Sequence, residues 1–195
     1  MKTRKNMRVR TGSFGFVAAA CACIFMSPTI AVAQPPEVKP GSHCVTNLDS
    51  KISTCYDTFR EAIAAATGGR ITNASQEKAA KEDRFVDRLN ASTETTTSRT
   101  STDNQVIGVV YDGADFRGPS HIYWAESQCS NDGAWNYHLE NLGEWNNRIS
   151  SLQVSGNCYM DLFTNQNFQG PHQLFTSHTG YMPGMTEQAE SIGWT

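Results

Sequence analysis

Residues 106–195 predict an all-β sandwich or barrel, and three observations in the sequence carry that prediction. Short apolar runs (VIGVVY, HIYW, SLQV, YMDLF, HQLF) alternate with clusters of Gly, Asn and Asp, the pattern of short strands separated by turns. Thirteen of the nineteen aromatic residues in this 195-residue chain, including all four tryptophans, fall in this part. The segment also repeats itself. Tyr111-x4-Phe116-x-Gly118-Pro119 recurs 52 residues later as Phe163-x4-Phe168-x-Gly170-Pro171, and such self-similarity marks a duplicated structural unit.

Each copy reads as a hairpin folded back over a sheet. Two aromatic side chains bracket a polar turn and stack on one another, while the glycine takes a backbone conformation that a side chain disfavours. A second element follows each hairpin: Trp145-Asn146-Asn147-Arg148-Ile149-Ser150-Ser151-Leu152 after the first, and Met185-Thr186-Glu187-Gln188-Ala189-Glu190-Ser191-Ile192 after the second. Aromatic-x4-aromatic-x-Gly followed by N/D-N/D-x-x-S/T-S resembles the signature of the βγ-crystallin superfamily. The resemblance implies two Greek-key motifs forming one sandwich of about 90 residues. In it, Tyr111, Phe116, Gly118 and Ser151 hold the first folded hairpin, and Phe163, Phe168, Gly170 and Ser191 the second. With Cys129 and Cys158 placed around WNNRISS, the domain is most similar to the bacterial crystallin-like peptidase inhibitors, whose named example inhibits metalloproteinases. The microbial calcium-binding βγ-crystallins are the competing resemblance.

The chain before this domain divides into three parts. Residues 1–33 hold five basic residues and no acid, then an apolar run over 14–26 and a small-residue site at Ala31-Val32-Ala33. That order reads as a secretory signal peptide; an apolar run of about 13 residues falls short of the roughly 20 that a membrane span needs. Residues 34–72 contain a Cys44–Cys55 loop and a helix in which Tyr56, Phe59, Ile63 and Ala66 recur at helical spacing, capped by Asp57 and stopped by Gly68-Gly69. The TCYDTFREAIAAATGG stretch resembles a leader found on secreted actinobacterial proteins. Residues 73–105 begin as a charged stretch with Phe85, Val86 and Leu89 as its large apolar residues and end in a Ser/Thr-rich run. They read as a solvated linker.

Removing the first 33 residues takes five of the sixteen basic side chains, leaving eleven against nineteen acidic ones, a net charge of −8. The sandwich itself carries nine acids against two bases, Arg117 and Arg148. A nucleic-acid partner is therefore not expected, because phosphate binding needs clustered positive charge. Four cysteines remain, Cys44, Cys55, Cys129 and Cys158. An even count in an exported chain points to disulfides; three pairings are open, and the local one fits the division above.

Two functions compete. The first is inhibition of an extracellular peptidase by a rigid loop, with the stretch between Cys129 and Trp145 and residues 176–183 as the roomiest candidates. The second is calcium binding, which requires six to eight oxygen ligands. The resemblance assigns Asn147, the Arg148 carbonyl and Ser150 in the first motif, and Glu187, the Gln188 carbonyl and Glu190 in the second. Thr186-Glu187 and Glu190 depart from the family pattern and alter the second set. His121, His138, His172 and His178 share no metal-ligand spacing and read as scattered surface residues. The sequence has no HExxH, GxSxG, phosphate loop or dinucleotide fingerprint, so a binding module rather than an enzyme is expected. It is read as secreted, with no membrane association after signal cleavage, and monomeric.

Overall fold

Strand pairing begins with residues that the sequence placed outside the sandwich. The computed structural model describes residues 43–81, 83–91, 104–130 and 132–195, all within one compact unit spanning 37–195. The signal peptide expected over 1–33 and the Ser/Thr-rich run over 92–103 lie outside the described residues. β1 (His43–Asn47) and β2 (Ser53–Tyr56) form an antiparallel hairpin in which Cys44 faces Cys55 and is bonded to it. Asn47 closes the turn, its Oδ1 accepting from the amides of Asp49 at 2.7 Å and Ser50 at 3.0 Å, the side-chain turn that Asn favours.

Helix α1 (Phe59–Ala66) starts at Thr58 rather than at the expected Asp57. Thr58 lies three residues before Glu61, and the two close a capping box that satisfies two helix N-terminal amides at once. Tyr56, expected on the helix, belongs to β2. Gly68 and Gly69, both at positive φ, stop the helix as anticipated. The first half of the expected linker is ordered instead into α2 (Gln76–Ala79) and α3 (Asp83–Asn90). Its few apolar residues share one side, and Ala79, Phe85, Val86 and Leu89 are all buried.

The sandwich strands are β3 (Gln105–Gly113), β4 (Arg117–Ala125), β5 (Tyr137–Leu139), β6 (Ser151–Val154), β7 (Met160–Asn165), β8 (Gln169–Phe175) and β9 (Ser191–Trp194). They form two sheets, ordered β2-β1-β4-β3-β6 and β5-β9-β7-β8. The first motif gives β3, β4 and β6 to one sheet and β5 to the other; the second gives β7, β8 and β9 to its own sheet, while Thr179 bridges to Leu152 of β6. Each motif thus lends one segment to its partner's sheet, and the duplicated sequence becomes a pair of interlocked Greek keys.

Two cores result. Between the sheets lie Ile107, Tyr123, Leu152, Met160, Leu162, Ile192 and Trp194 with the Cys129–Cys158 disulfide. The second core covers the outer face of the first sheet. There α1 packs on β1 and β4, α3 packs on β3, and Phe59, Ile63, Phe85 and Leu89 bury Val109, Tyr111 and Ile122. At about 30 residues the 43–72 segment has little core of its own, and the sheet supplies one. Gln153 links the two layers, accepting from the Tyr111 hydroxyl at 2.6 Å and donating to the Ala79 carbonyl at 3.0 Å.

Candidate functional site

The two folded hairpins repeat atom for atom. Asp115 and Phe116 in the first, and Asn167 and Phe168 in the second, all sit at positive φ, followed by Gly118 and Gly170 at φ 76° in both. A phenylalanine in that region is uncommon and strained, so something must hold it. Ser151 Oγ accepts from Phe116 N at 3.0 Å and donates to the Gly113 carbonyl at 2.6 Å. Ser191 Oγ accepts from Phe168 N at 3.0 Å and donates to the Asn165 carbonyl at 2.7 Å. The bracketing rings meet edge to face rather than stacked: Tyr111 and Phe116 at 5.7 Å, Phe163 and Phe168 at 5.8 Å.

The residues expected to bind metal come together across the motif boundary. Asn147 N donates to the Ala189 carbonyl and Glu187 N to the Ile149 carbonyl, each at 2.8 Å, a reciprocal pairing of the two loops. It places Asn147 Nδ2 at 3.1 Å from Glu190 Oε1, and Ser150 Oγ at 3.4 Å from Glu187 Oε1. Each pair therefore joins one carboxylate to one neutral oxygen-bearing side chain from the other motif. These are hard donors of the kind calcium takes. The Arg148 side chain points away from them, to Asp112 Oδ2 at 2.7 Å and over the Trp145 ring at 5.0 Å.

The loop before β5 is fixed at both ends. Cys129 is bonded to Cys158, its amide donates to the Gly156 carbonyl at 2.9 Å, and its carbonyl accepts from Asn157 Nδ2 at 3.1 Å. Asn136 N donates to the Trp194 carbonyl at 2.8 Å, while the Asn136 side chain bonds Ser130. Trp135, 39% exposed, lies over the second sheet against Phe163 and Phe168. Gly193 makes room for it, since a Cβ there would stand 2.7 Å from the indole. The other candidate loop is held by the two-way Thr179–Leu152 bridge and by Asp115 N donating to the Gly180 carbonyl at 2.8 Å; Tyr181, at its tip, is 63% exposed.

The histidines do not form one class. His138, His172 and His178 are exposed, but His121 is buried. Its Nε2 bonds Thr46 Oγ1 at 2.5 Å, its ring stacks on Tyr123, and burial pushes its pKa down to about 3. His43 is buried at the same strand junction, bonded to Ser120 Oγ at 2.8 Å, and burial lowers its pKa also. The alternation of β4 carried a signal for His121, which occupies an inward position between Ser120 and Ile122; no sequence signal placed His43 against β4. Asp161, which the sequence reading passed over, bonds His172 Nδ1 at 2.8 Å on the outer face of the second sheet.

Residues 110–175 match the family model of peptidase inhibitor family I36. That segment is similar to the family. It runs from β3 through the Cys129–Cys158 loop to the end of β8, and so takes in both folded hairpins. Similar solved structures include the N-terminal domain of protein S (17% identity, TM-score 0.35, covering 46% of this chain and 94% of that one). A βγ-crystallin domain from Clostridium beijerinckii (18%, 0.35, 45% and 95%) and a βγ-crystallin from Ciona intestinalis (15%, 0.36, 45% and 98%) are also similar. A comparison with curated proteins found no match. The interlocked strand order and the serine-anchored hairpins give the I36-type domain a βγ-crystallin fold.

Proposed function

We propose that the protein is a secreted inhibitor of an extracellular metallopeptidase, acting by binding and not by catalysis. The I36 match over 110–175 carries this reading. The anchored Cys129 loop supports it, because a loop ordered before binding loses little entropy in the complex. Two disulfides and the expected signal peptide support export. The test is turnover of a thermolysin-like zinc peptidase with increasing mature protein. Wild type is expected to abolish turnover, and Trp135→Ala, which strips the exposed ring from the loop, to weaken inhibition at least about tenfold. Unchanged turnover at large molar excess of wild type overturns the reading for that peptidase class.

Calcium binding is a second reading, favoured by the pairing of Glu190 with Asn147 and of Glu187 with Ser150 across the two motifs. Glu187, Glu190, Ser150 and Asn147 would hold the ion, with the Arg148 and Gln188 carbonyls completing the sets; the ion would cross-link the two loops and supply no chemistry. Calorimetric titration with millimolar calcium is expected to release heat and raise the melting temperature, and Glu190→Gln to reduce both. No heat and no change in melting temperature would reject this reading.

A further inference from the structure

The internal repeat relates the two sheets, and the relation leaves one strand edge without its counterpart. An offset of 52 residues carries 119–124 of β4 onto 171–176 at β8. In the first sheet the outer edge of β4 is occupied: β1 runs parallel to it, with His43 opposite Ser120 and Asn47 opposite Trp124. Among the described residues no strand pairs with the corresponding edge of β8. Every residue from 169 to 174 is exposed, and Leu174 is 47% exposed, whereas its equivalent Ile122 is fully buried.

An unpaired edge presents a row of free amide and carbonyl groups, and proteins ordinarily blunt it with charge, proline or a bulge. Residues 172–175 (His-Gln-Leu-Phe) contain no Lys, Arg, Asp, Glu or Pro. Pro171 stands just before them, as Pro119 stands just before the residues of β4 that pair with β1. The register shift of β7 on β8 lies before this stretch, between the Phe163–His172 and Asn165–Gln169 pairs, as the equivalent shift between Tyr111 and Gly113 lies before the part of β4 that receives a strand. Charge, proline and bulge are therefore all absent from 172–175 itself.

We propose that the edge of β8 accepts an extended strand from a partner protein, running parallel in the register that β1 adopts on β4. The chemistry of the incoming strand follows from the one already in place. In β1, Val45 joins the covered outer face beside Ile122, and His43, two residues earlier, bonds Ser120 on the same side. Thr46 turns inward to His121. Transferred to β8, the third residue of the incoming strand lies over Leu174 and is apolar. The first lies over His172, whose ring bonds Asp161 at 2.8 Å and stacks on Phe163 at 4.9 Å. A basic side chain suits that position, given Asp161 there and nine acids against two bases in the domain. The partner segment is thus an extended basic-x-apolar strand. A second copy of this chain related by a two-fold would pair β8 antiparallel to itself and would not reproduce the register of β1. The proposal goes beyond the inhibitor reading and does not depend on it.

The test is an NMR titration of 15N-labelled mature protein with the blocked peptide Ser-Lys-Thr-Val-Thr-Asn-Leu, which is residues 42–48 with Lys for His43 and Thr for Cys44. Saturable shifts centred on residues 172–176 are expected at low millimolar peptide, the range of a single short strand. The Leu174→Lys variant, whose change sits on an exposed side chain and leaves the remaining spectrum in place, is expected to lose them, and a peptide with Glu in place of Lys to bind at least about threefold more weakly. Three outcomes would each overturn the proposal: no saturable shift up to about 10 mM peptide, shifts centred elsewhere, or a wild-type dimer in sedimentation that Leu174→Lys dissolves. The last would place a second copy on the edge.

Discussion

Replacing Ser191 by alanine removes one atom that makes two hydrogen bonds, from Phe168 N at 3.0 Å and to the Asn165 carbonyl at 2.7 Å. Leaving a buried polar group without its partner costs about 1–3 kcal/mol. Ser191 is fully buried, but Phe168 is half-buried and Asn165 exposed, so water recovers part of the loss and the low end applies, about 1 kcal/mol for each bond. The amide also anchors a phenylalanine at φ 59°, which nothing else in the hairpin restrains through hydrogen bonding to a side chain. A total of about 2 kcal/mol corresponds to a fall in melting temperature of about 4–8 °C for a unit of this size. Because the hairpins repeat, Ser151→Ala is expected to do the same, and the double variant to lose about twice as much, as the two sites share no partner. Calorimetry on the three variants measures this directly. If both single variants melt within about 1 °C of wild type, the hydroxyls do not hold the hairpins and the argument is wrong.

Two further outcomes follow from the junction between β1 and β4. His121 stays neutral in the folded protein down to about pH 3, whereas in the unfolded chain it takes up a proton below about 6.5. Its contribution is therefore complete above pH 6.5 and is lost as pH falls toward 3, at up to about 1.4 kcal/mol per pH unit. Urea midpoints at pH 7.0, 5.5 and 4.5 are expected to fall for wild type and to fall less steeply for His121→Phe; parallel slopes would remove His121 as the cause. Phe59→Ala empties the contact of α1 with Tyr111, Phe85 and His43, at a cost of about 3–5 kcal/mol. Hydrogen exchange is expected to accelerate over 43–90 before it does so over β7 to β9, and uniform acceleration would contradict a separable cover.

The sandwich was legible because its signals are local and duplicated. Gly118 and Gly170 take positive φ and Ser151 and Ser191 bond the hairpins they follow, while the bracketing aromatic rings meet edge to face where stacking is expected. The residue set expected to bind calcium came only from the resemblance. The juxtaposition of Glu190 with Asn147 depends on two loops distant in sequence pairing through their backbones, Asn147 N with the Ala189 carbonyl and Glu187 N with the Ile149 carbonyl. The fate of the N-terminal segment was not legible. HCVTN offers Val45 as its one branched apolar residue, and each of its residues pairs with one 77 positions later, so no periodicity reports the parallel pairing. In the stretch read as a linker, Phe85, Val86 and Leu89 looked too sparse to fold, and they are so without the sheet: Tyr111, Val109 and Ile122 provide the surface that buries them. His121 reads as a surface residue with the other histidines because none of them shares metal-ligand spacing, although its place in the alternation of β4 points inward.

The central claim concerns binding, and one measurement meets it most directly. A zinc metallopeptidase of the thermolysin type, its active sites counted, is titrated with the mature protein and residual turnover is recorded. The I36-type domain is expected to extinguish activity with a linear break near equimolar inhibitor, the mark of a tight and preorganised complex. Turnover that stays at its starting value through a large molar excess would contradict the assignment of this sandwich as a metallopeptidase inhibitor.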